Sequence, residues 1–283
     1  MPTLVDYNQI FIANVMSQPH IHKGGVQESF LRHTVLNTLR SYRTRFYNEY
    51  GELVLCCDSR KNWRKKYYVE YKAHRSKDRK ETDFNWDSLF KSLNAVKEEL
   101  IDFFPYHVLQ IPYCEADDII GVISELCWPR YDRVMIISGD KDFQQLQKYD
   151  NVEQWSPLKK EFIVQPDPER FLKEHIMRGD KGDGIPNFLS PDDTFTNGDR
   201  QVPLSKKKIA EWIDLDPIIF CDFIMMRGYS RNRTLVDLSY IPLPLKDDII
   251  ESYNDYELKD RSMLLDYFIN NQLKNLMEHI GEF

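Results

Sequence analysis

Short, continuous apolar runs are the feature that most constrains how this chain folds. Four of them lie in the first half and begin at Leu4, Leu53, His107 and Val134. Runs of this kind are typical of strands in a parallel sheet that is buried on both faces. Apolar residues at helical spacing lie between them, so strands and helices alternate over roughly the first 150 residues. The alternation predicts an α/β domain with right-handed crossovers around a central, mostly parallel sheet.

The pattern changes in the second half. The segment 182–205 is largely polar and contains three glycines and three prolines, and we expect a flexible loop over about 184–205. Beyond it, 205–213, 217–226 and 258–280 have the pattern of helices. The sequence therefore predicts an α/β domain over 1–180 and a smaller helical domain over 181–283.

Acidic residues follow the predicted strands where α/β proteins form their ligand sites, beyond the carboxyl ends of the strands. Nine acids stand at three strand ends, at one helix start and on one Gly-rich turn: Asp6, Asp58, Asp140, Asp142, Glu115, Asp117, Asp118, Asp180 and Asp183. Any one of them is explained equally well as a turn former or a helix cap. If the strands are parallel neighbours, however, the acids converge on one edge of the sheet.

The number of acids indicates metal ions. Clustered carboxylates raise one another's pKa and resist ionising together unless cations neutralise them. Oxygen ligands without nearby His or Cys favour Mg²⁺ or Mn²⁺ over zinc. The set is larger than one octahedral ion needs, which fits two ions that activate water for in-line attack on a phosphodiester. We therefore expect two Mg²⁺ ions, for which Mn²⁺ can substitute.

One basic segment contrasts with the net charge of −7. Between residues 60 and 80, ten Lys and Arg residues face two acids, so this window carries +8 and the rest of the chain −15. Alone, such a run is more often a solvated helix, but this one directly follows Asp58. Cations neutralise phosphates, and aromatic rings stack on bases. The side chains expected to bind nucleic acid here are Arg64, Lys65, Lys66, Tyr67, Tyr71, Lys72, Arg75 and Lys77. Arg64 and Lys72 are near two helical turns apart, so one helix face could present both.

Other features exclude several classes of protein. No apolar run approaches the ~18 residues that span a bilayer, and the N-terminus lacks a secretory signal pattern. The five cysteines contain no CxxC pair, so neither a zinc ribbon nor a disulfide framework is indicated. We expect a cytoplasmic protein with reduced thiols and no membrane partner.

Three motifs follow Asp6 and Asp58 along the chain: EADD at 115–118, SGDKDF at 138–143 and GDKGDGIP at 179–186. In this order and at these spacings they resemble the flap endonuclease/5′–3′ exonuclease family. The resemblance implies a PIN-like (resolvase-like) nuclease fold with two magnesium sites. It also implies 5′–3′ exonuclease, flap endonuclease and ribonuclease H activity on DNA and RNA–DNA duplexes, as in primer removal during phage-type replication.

The resemblance also assigns roles to residues. The first metal would be served by Asp6, Asp58, Glu115, Asp117, Asp118 and Asp140, and the second by Asp142, Asp180 and Asp183. Residues 60–82 would form a helical arch or bridge over the site. In that bridge, Arg64 and Lys72 would contact the scissile phosphate, and Tyr67 or Tyr71 would stack a terminal base.

The chain departs from the family after the Gly-rich turn. Many members continue into a helical hairpin with a Gly-[Ile/Val]-Gly loop, and 187–202 contains none. Downstream duplex binding is therefore open. Lys206, Lys207 and Lys208, at a predicted helix start, are either phosphate contacts or solvated lysines.

Two other classes compete with the nuclease interpretation. A phosphomonoester hydrolase would usually carry Asp-x-Asp after its first strand, whereas Tyr7 and Asn8 follow Asp6. A non-catalytic, structure-specific DNA-binding accessory protein would carry a degenerate metal site, and all nine acids are present. Expected partners are DNA and RNA–DNA duplexes with 5′ ends or flaps, with a single-strand-binding protein or sliding clamp as further candidates. The protein is expected to be a monomer.

Overall fold

A twisted sheet forms the centre of the computed structural model, which describes residues 1–16, 27–257 and 259–283. In these residues the sheet has six strands in the order β3-β2-β1-β4-β5-β6. The strands are β1 (Thr3–Asp6), β2 (Leu53–Cys56), β3 (His107–Leu109), β4 (Val134–Ile137), β5 (Val152–Ser156) and β6 (Glu161–Ile163). Of these, only β6 runs antiparallel, against β5. The predicted mostly parallel sheet is confirmed.

Helices connect the strands and continue beyond them. They are α1 (Tyr7–Met16), α2 (Glu28–Tyr50), α3 (Trp63–Tyr67), α4 (His74–Lys80), α5 (Trp86–Phe103), α6 (Ala116–Cys127), α7 (Pro168–Arg178), α8 (Lys206–Trp212), α9 (Pro217–Phe220), α10 (Phe223–Val236), α11 (Leu243–Asn254), α12 (Leu264–Asn270) and α13 (Lys274–Met277). Short 3₁₀ helices at Lys141–Lys148 and Lys181–Asp183 carry acids of the predicted site. No helix in the described residues is long and apolar enough to cross a membrane.

Both faces of the sheet are covered, which explains the continuous apolar runs. Successive side chains of a strand point to opposite faces. Leu4 packs in the core beneath α6, whereas its neighbour Val5 packs in the core beneath α2 and α5. Both are fully buried. A polar residue at either position would lose its water without gaining a partner, so neither face tolerates one.

The second half of the chain packs in three places. Ile249 of α11 joins the core beneath α6. Phe268 and Phe283 join the other face, where the Phe283 ring lies 5.7 Å from that of Phe104. A third core lies among α7, α8 and α10 and includes Tyr68 of the predicted bridge. The boundary at 180/181 stays a prediction.

Several elements of the second half differ from expectation. The predicted helix over 217–226 breaks before Asp222, whose side chain caps α10 by accepting from the Met225 N–H. The predicted helix over 258–280 is two short helices, α12 and α13, separated at Gln272, which has a φ of 58°. Leu258 lies outside the described residues. The helix α11 had no counterpart in the prediction.

The predicted flexible loop over 184–205 is wrong for its first half. Phe188 is buried, and its backbone lies against Gly228 of α10, where a Cβ would come within 2.1 Å of the Phe188 carbonyl oxygen. The Asn187 side chain donates to the Val202 carbonyl and accepts from the Leu189 N–H. The Phe188 contact holds the loop on α10, and the Asn187 bonds tie its two ends together although it lacks regular structure.

Candidate active site

The carboxyl ends of three neighbouring strands bring the first acids together. Asp6 ends β1, Asp58 lies two residues beyond β2, and Asp140 lies three residues beyond β4. Because β1 pairs in parallel with both β2 and β4, these ends meet at one edge of the sheet. Asp117 enters the same space from the first turn of α6. The predicted convergence of strand-end acids is what the structure shows.

A cleft of about 620 Å³ opens at this edge. Eight of the nine predicted acids line it: Asp6, Asp58, Glu115, Asp117, Asp140, Asp142, Asp180 and Asp183. Lys72, Arg75 and Lys141 contribute positive charge to the wall, and Trp86 and Phe90 contribute an apolar side. The cleft therefore joins a dense group of carboxylates to cations and aromatic rings.

Repulsion among the strand-end acids changes their protonation. Burial, together with Asp58 and Asp140, raises the pKa of Asp6 to about 8. Burial and Asp142 raise the pKa of Asp140 to about 6. Burial, Asp140 and Asp6 raise the pKa of Asp117 well above its usual range. This part of the cleft therefore retains protons near neutral pH unless another cation replaces them.

Glu115 behaves differently because cations surround it. Lys72 Nζ lies 2.6 Å from Glu115 Oε1, and Arg64 Nη1 lies 3.2 Å from Oε2. Burial disfavours the charged carboxylate, but Lys72 and Arg64 outweigh burial and lower the pKa of Glu115 to about 2. Lys72 also lies 3.4 Å from Asp183 Oδ2. One ammonium thus bridges the start of α6 and the Gly-rich turn.

Asp118 lies behind the cleft, so the prediction that it serves the first metal is wrong. It is fully buried, and its Oδ1 lies 2.8 Å from Arg64 Nη1. Its Oδ2 accepts from the Trp63 indole N–H and from the Glu115 backbone N–H. As the third residue of α6 it turns back to complete a capping box, which directs its carboxylate away from the sheet edge.

The predicted phosphate contact by Arg64 is also wrong. Arg64 is 3% exposed, pairs with Asp118 and Glu115, and donates from Nε to the Leu235 carbonyl. Arg64 is also not among the residues that line the cleft. Arg64 is a positioning residue that neutralises two buried carboxylates and ties the bridge to α10.

The bridge over 60–82 is two short helices, α3 and α4, with Lys72 between them at a φ of 54°. Arg64 and Lys72 therefore do not share one helix face but approach Glu115 from different segments. The Lys72 backbone N–H donates to the Asp183 carbonyl over 2.8 Å. This bond holds the turn in place across the cleft.

The two tyrosines proposed to stack a base have different environments. Tyr71 is 2% exposed, and its hydroxyl lies 2.8 Å from Glu115 Oε2 and 2.9 Å from Asp183 Oδ2. The stacking prediction is therefore wrong for Tyr71, whose ring is enclosed. Tyr67 is 52% exposed and can still contact a base.

A second group of ligand atoms lies on the other side of Asp140. Single ligand atoms of Asp142, His175 and Asp180 all lie within 4.8 Å of one another. Lys141 Nζ lies 2.7 Å from Asp180 Oδ2. Burial raises the pKa of Asp180, but Lys141 and His175 outweigh it, so the pKa is lowered overall. The expectation of acids without a nearby histidine is therefore wrong at this group.

The remaining predicted nucleic-acid contacts lie mostly at the surface. Lys65, Lys66 and Lys77 are exposed. Arg75 is partly exposed and lies 2.6 Å from Asp183 Oδ1. The three lysines of the first turn of α8, Lys206, Lys207 and Lys208, are exposed as well. The Lys77 ammonium lies 4.0 Å from Glu81 Oε1, and the Lys66 ammonium lies 3.9 Å from the centre of the Tyr113 ring. Because these lysines are exposed, a phosphate backbone can still reach them.

Two family models match the sequence. That of the 5′–3′ exonuclease N-terminal resolvase-like domain matches residues 4–175, and that of the C-terminal part of T4 RNase H matches residues 167–283. The chain belongs to the 5′–3′ exonuclease family. It is 32% identical over 292 residues to Ribonuclease H of Enterobacteria phage T4, which covers 99% of this chain and 95% of that protein. Residues 151–157 and 281–283 also suggest this likeness to a T-even phage ribonuclease H.

Other relatives agree with this assignment. A 5′–3′ exonuclease of Buchnera aphidicola subsp. Schizaphis graminum is 29% identical over 161 residues, 54% of this chain and 53% of that protein. The structure of the bacteriophage T5 flap endonuclease in a complex with DNA and metal ions matches with a TM-score of 0.64 at 18% identity, over 90% of this chain and 99% of that chain. The predicted resolvase-like nuclease fold is confirmed. Family membership makes the protein a nuclease phosphodiesterase rather than a phosphomonoesterase or a non-catalytic accessory protein.

His175 was not singled out from the sequence. It stands five residues before Asp180, on the helix α7 that leads into the Gly-rich turn. That short separation is the signal that could have drawn attention to it. Its approach to Asp142 depends on how α7 packs against the 3₁₀ helix Lys141–Lys148, which no local pattern reveals.

Without metal, the unfolding free energy is expected to fall as the pH rises from about 5 to about 8. Asp6 and Asp140 keep their protons in the folded state up to pKa values of about 8 and about 6, whereas the unfolded chain releases them near about pH 4. The folded state therefore binds more protons in this window, and raising the pH favours unfolding. Glu115 is ionised in both states there and contributes no slope. Urea unfolding in EDTA across this window measures the effect.

A matched pair of variants tests the assignment. Asp6→Asn is expected to flatten the pH dependence, because the pKa of Asp6 is raised further than that of Asp140. Asp87→Asn alters an exposed carboxylate on α5 and is expected to leave the dependence unchanged. An unfolding free energy that rises over the window, or an equal slope in Asp6→Asn, would contradict the assignment.

Proposed function

We propose that this nuclease is a divalent-metal-dependent 5′–3′ exonuclease and flap endonuclease, which hydrolyses phosphodiester bonds of DNA and RNA–DNA duplexes. The observation that carries the proposal is the convergence of eight carboxylates on one cleft. Without added cations, so much negative charge would repel a phosphate group. With divalent ions, the same edge becomes attractive to phosphate.

The donor atoms fit hard divalent ions. They are mostly carboxylate oxygens, the ligand type that Mg²⁺ and Mn²⁺ prefer. The Asp142 Oδ1 atom is buried without a hydrogen-bond partner among the described residues, which fits an oxygen that would coordinate a cation. The T5 flap endonuclease structure is a complex with metal ions, which supports the same reading.

The resemblance to the family suggests an assignment of these acids to two positions. The first position would use Asp6, Asp58, Glu115, Asp117 and Asp140, and the second Asp142, Asp180 and Asp183. Two Mg²⁺ ions, or Mn²⁺ in their place, would supply a nucleophilic water at neutral pH and stabilise charge on the phosphodiester. Ser138 orients one ligand, because its hydroxyl donates to Asp6 Oδ2 over 3.1 Å.

Lys72 is the chain's own candidate for contacting the scissile phosphate. Its ammonium has three N–H donors; two of them face Glu115 and Asp183, and the side chain lines the cleft. Burial disfavours its charge, but Asp183 and Glu115 raise its pKa above the usual value, so it stays cationic. A fixed cation beside the reacting phosphate stabilises the negative charge that develops during attack.

Surface groups around the cleft would hold the rest of the nucleic acid. Lys65, Lys66 and Lys77 on the bridge can neutralise phosphates. Trp86 and Phe90 line the apolar side of the cleft, with the Arg79 guanidinium over both rings. Such a surface can stack an unpaired base. We assign Lys206, Lys207 and Lys208 to a duplex backbone farther along the substrate.

The relatives support a proposal for the biological setting. The protein is similar along nearly its whole length to a phage ribonuclease H. We propose that it acts as a monomer in the cytoplasm of a bacterial host and removes primers during DNA replication. A single-strand-binding protein or a sliding clamp is its proposed protein partner.

The nuclease proposal is tested on a 5′-labelled flap duplex and an RNA–DNA hybrid. Cleavage is expected with Mg²⁺ or Mn²⁺ and none with EDTA. Asp140→Asn removes a central carboxylate and is expected to lower kcat at least about 100-fold. The control Asp87→Asn should cut at the wild-type rate. Cleavage that persists in EDTA, or an Asp140→Asn enzyme as fast as wild type, would contradict the metal mechanism.

The role of Lys72 is tested against that of Lys77, an exposed lysine of the same bridge. Lys72→Met is expected to lower kcat on the flap substrate by about 100-fold with little change in KM, because its charge acts at the reacting phosphate. Lys77→Met should weaken binding and reduce its salt dependence by about one phosphate contact. If the two variants changed kcat and KM equally, Lys72 would have no catalytic role beyond the binding role of Lys77.

A further inference from the structure

His175 is a buried histidine whose Nε2 atom faces Asp142 and Asp180. The residue is 6% exposed. Its Nε2 lies 3.1 Å from Asp142 Oδ1 and 3.8 Å from Asp180 Oδ2. Both Nε2 and Asp142 Oδ1 lack a hydrogen-bond partner among the described residues. Two buried polar atoms thus lie close together with the hydrogen-bonding capacity of each unmet, which is rare in folded proteins.

The separation of these atoms fits shared coordination of one ion. Two ligands that occupy neighbouring corners of an octahedron, each about 2.1 Å from the ion, are about 3.0 Å apart. The 3.1 Å between His175 Nε2 and Asp142 Oδ1 matches this value. The 3.8 Å to Asp180 Oδ2 lies between the values for neighbouring and opposite corners. Lys141, which now contacts Asp180, is half exposed and can turn away.

Packing holds the imidazole in this position. His175 lies on α7, and its ring stacks on Phe171 with the centroids 5.9 Å apart and the planes 12° from parallel. The helix packs against the 3₁₀ helix that carries Asp142. Because the ring is buried between these elements, Nε2 already faces the acids. Binding of an ion would therefore not carry the entropic cost of ordering a mobile side chain.

We propose that His175 is a ligand of the second divalent ion, which makes this position more favourable for a transition-metal ion than an all-carboxylate site. Imidazole nitrogen suits transition metals, whereas Mg²⁺ prefers carboxylate and water oxygens. The inference rests on the proposed two-metal function and deepens it, because it distinguishes the two positions by ligand chemistry. The first position has only oxygen donors, and the second has one nitrogen donor.

Pulsed electron paramagnetic resonance of Mn²⁺-loaded protein tests the proposal directly. With two Mn²⁺ ions bound, the wild-type spectrum is expected to show modulation from a directly coordinated nitrogen. The modulation should change to the ¹⁵N pattern when the protein contains ¹⁵N-labelled histidine. It should disappear in His175→Gln but persist in His74→Gln, a matched change at a histidine whose ring lies beside Gly184 at the edge of the same turn.

Binding measurements provide a second readout. In His175→Gln, the dissociation constant of one of the two Mn²⁺ sites is expected to rise at least about tenfold, with a smaller change for Mg²⁺. Two bound Mn²⁺ ions without nitrogen modulation would overturn the His175 proposal and leave the two-metal function standing. Fewer than two bound ions would overturn both. If His175→Gln does not fold, the wild-type, ¹⁵N-histidine and His74→Gln spectra still decide the question.

Discussion

Repulsion among carboxylates at one sheet edge is the interaction on which the rest of the site depends. Because β1 pairs in parallel with β2 and β4, Asp6, Asp58 and Asp140 lie at the same edge of the sheet, at the carboxyl ends of the strands. Burial then makes each negative charge more costly for its neighbours. The result is a fold whose active-site region retains protons near neutral pH and, under the proposed function, would exchange them for metal ions.

The protein's own cations relieve only part of this repulsion. Arg64 and Lys72 neutralise Glu115 and Asp118, and Lys141 neutralises Asp180. Among the described residues no Lys or Arg pairs with Asp6, and burial together with Asp58 and Asp140 raises its pKa. Buried cations thus hold the walls of the cleft, and the proposed metal ions would occupy its centre. If they bind there, the net charge of −7 overstates the negative charge that a nucleic acid would meet.

Much of the fold and of the site could be predicted from the sequence because the signals are local. An apolar run followed by Asp predicts both a strand and a carboxylate at the end of that strand. Asp6, Asp58 and Asp140 lie at the predicted strand ends. Side-chain direction is not local in this way. Asp118 belongs to the same motif as Asp117, yet capping of α6 turns it toward Arg64. His175 reaches the site only through helix packing, which no motif records.

Proton release on metal binding tests the central claim most directly. Isothermal titration of Mg²⁺ at about pH 7, in two buffers of different ionisation enthalpy, counts the protons that leave the protein. Because Asp6 holds a proton up to a pKa of about 8, binding is expected to release about one proton or more, and fewer in Asp6→Asn. Binding that releases no protons, or releases equally many in Asp6→Asn, would show that burial and mutual repulsion do not keep the carboxylates protonated.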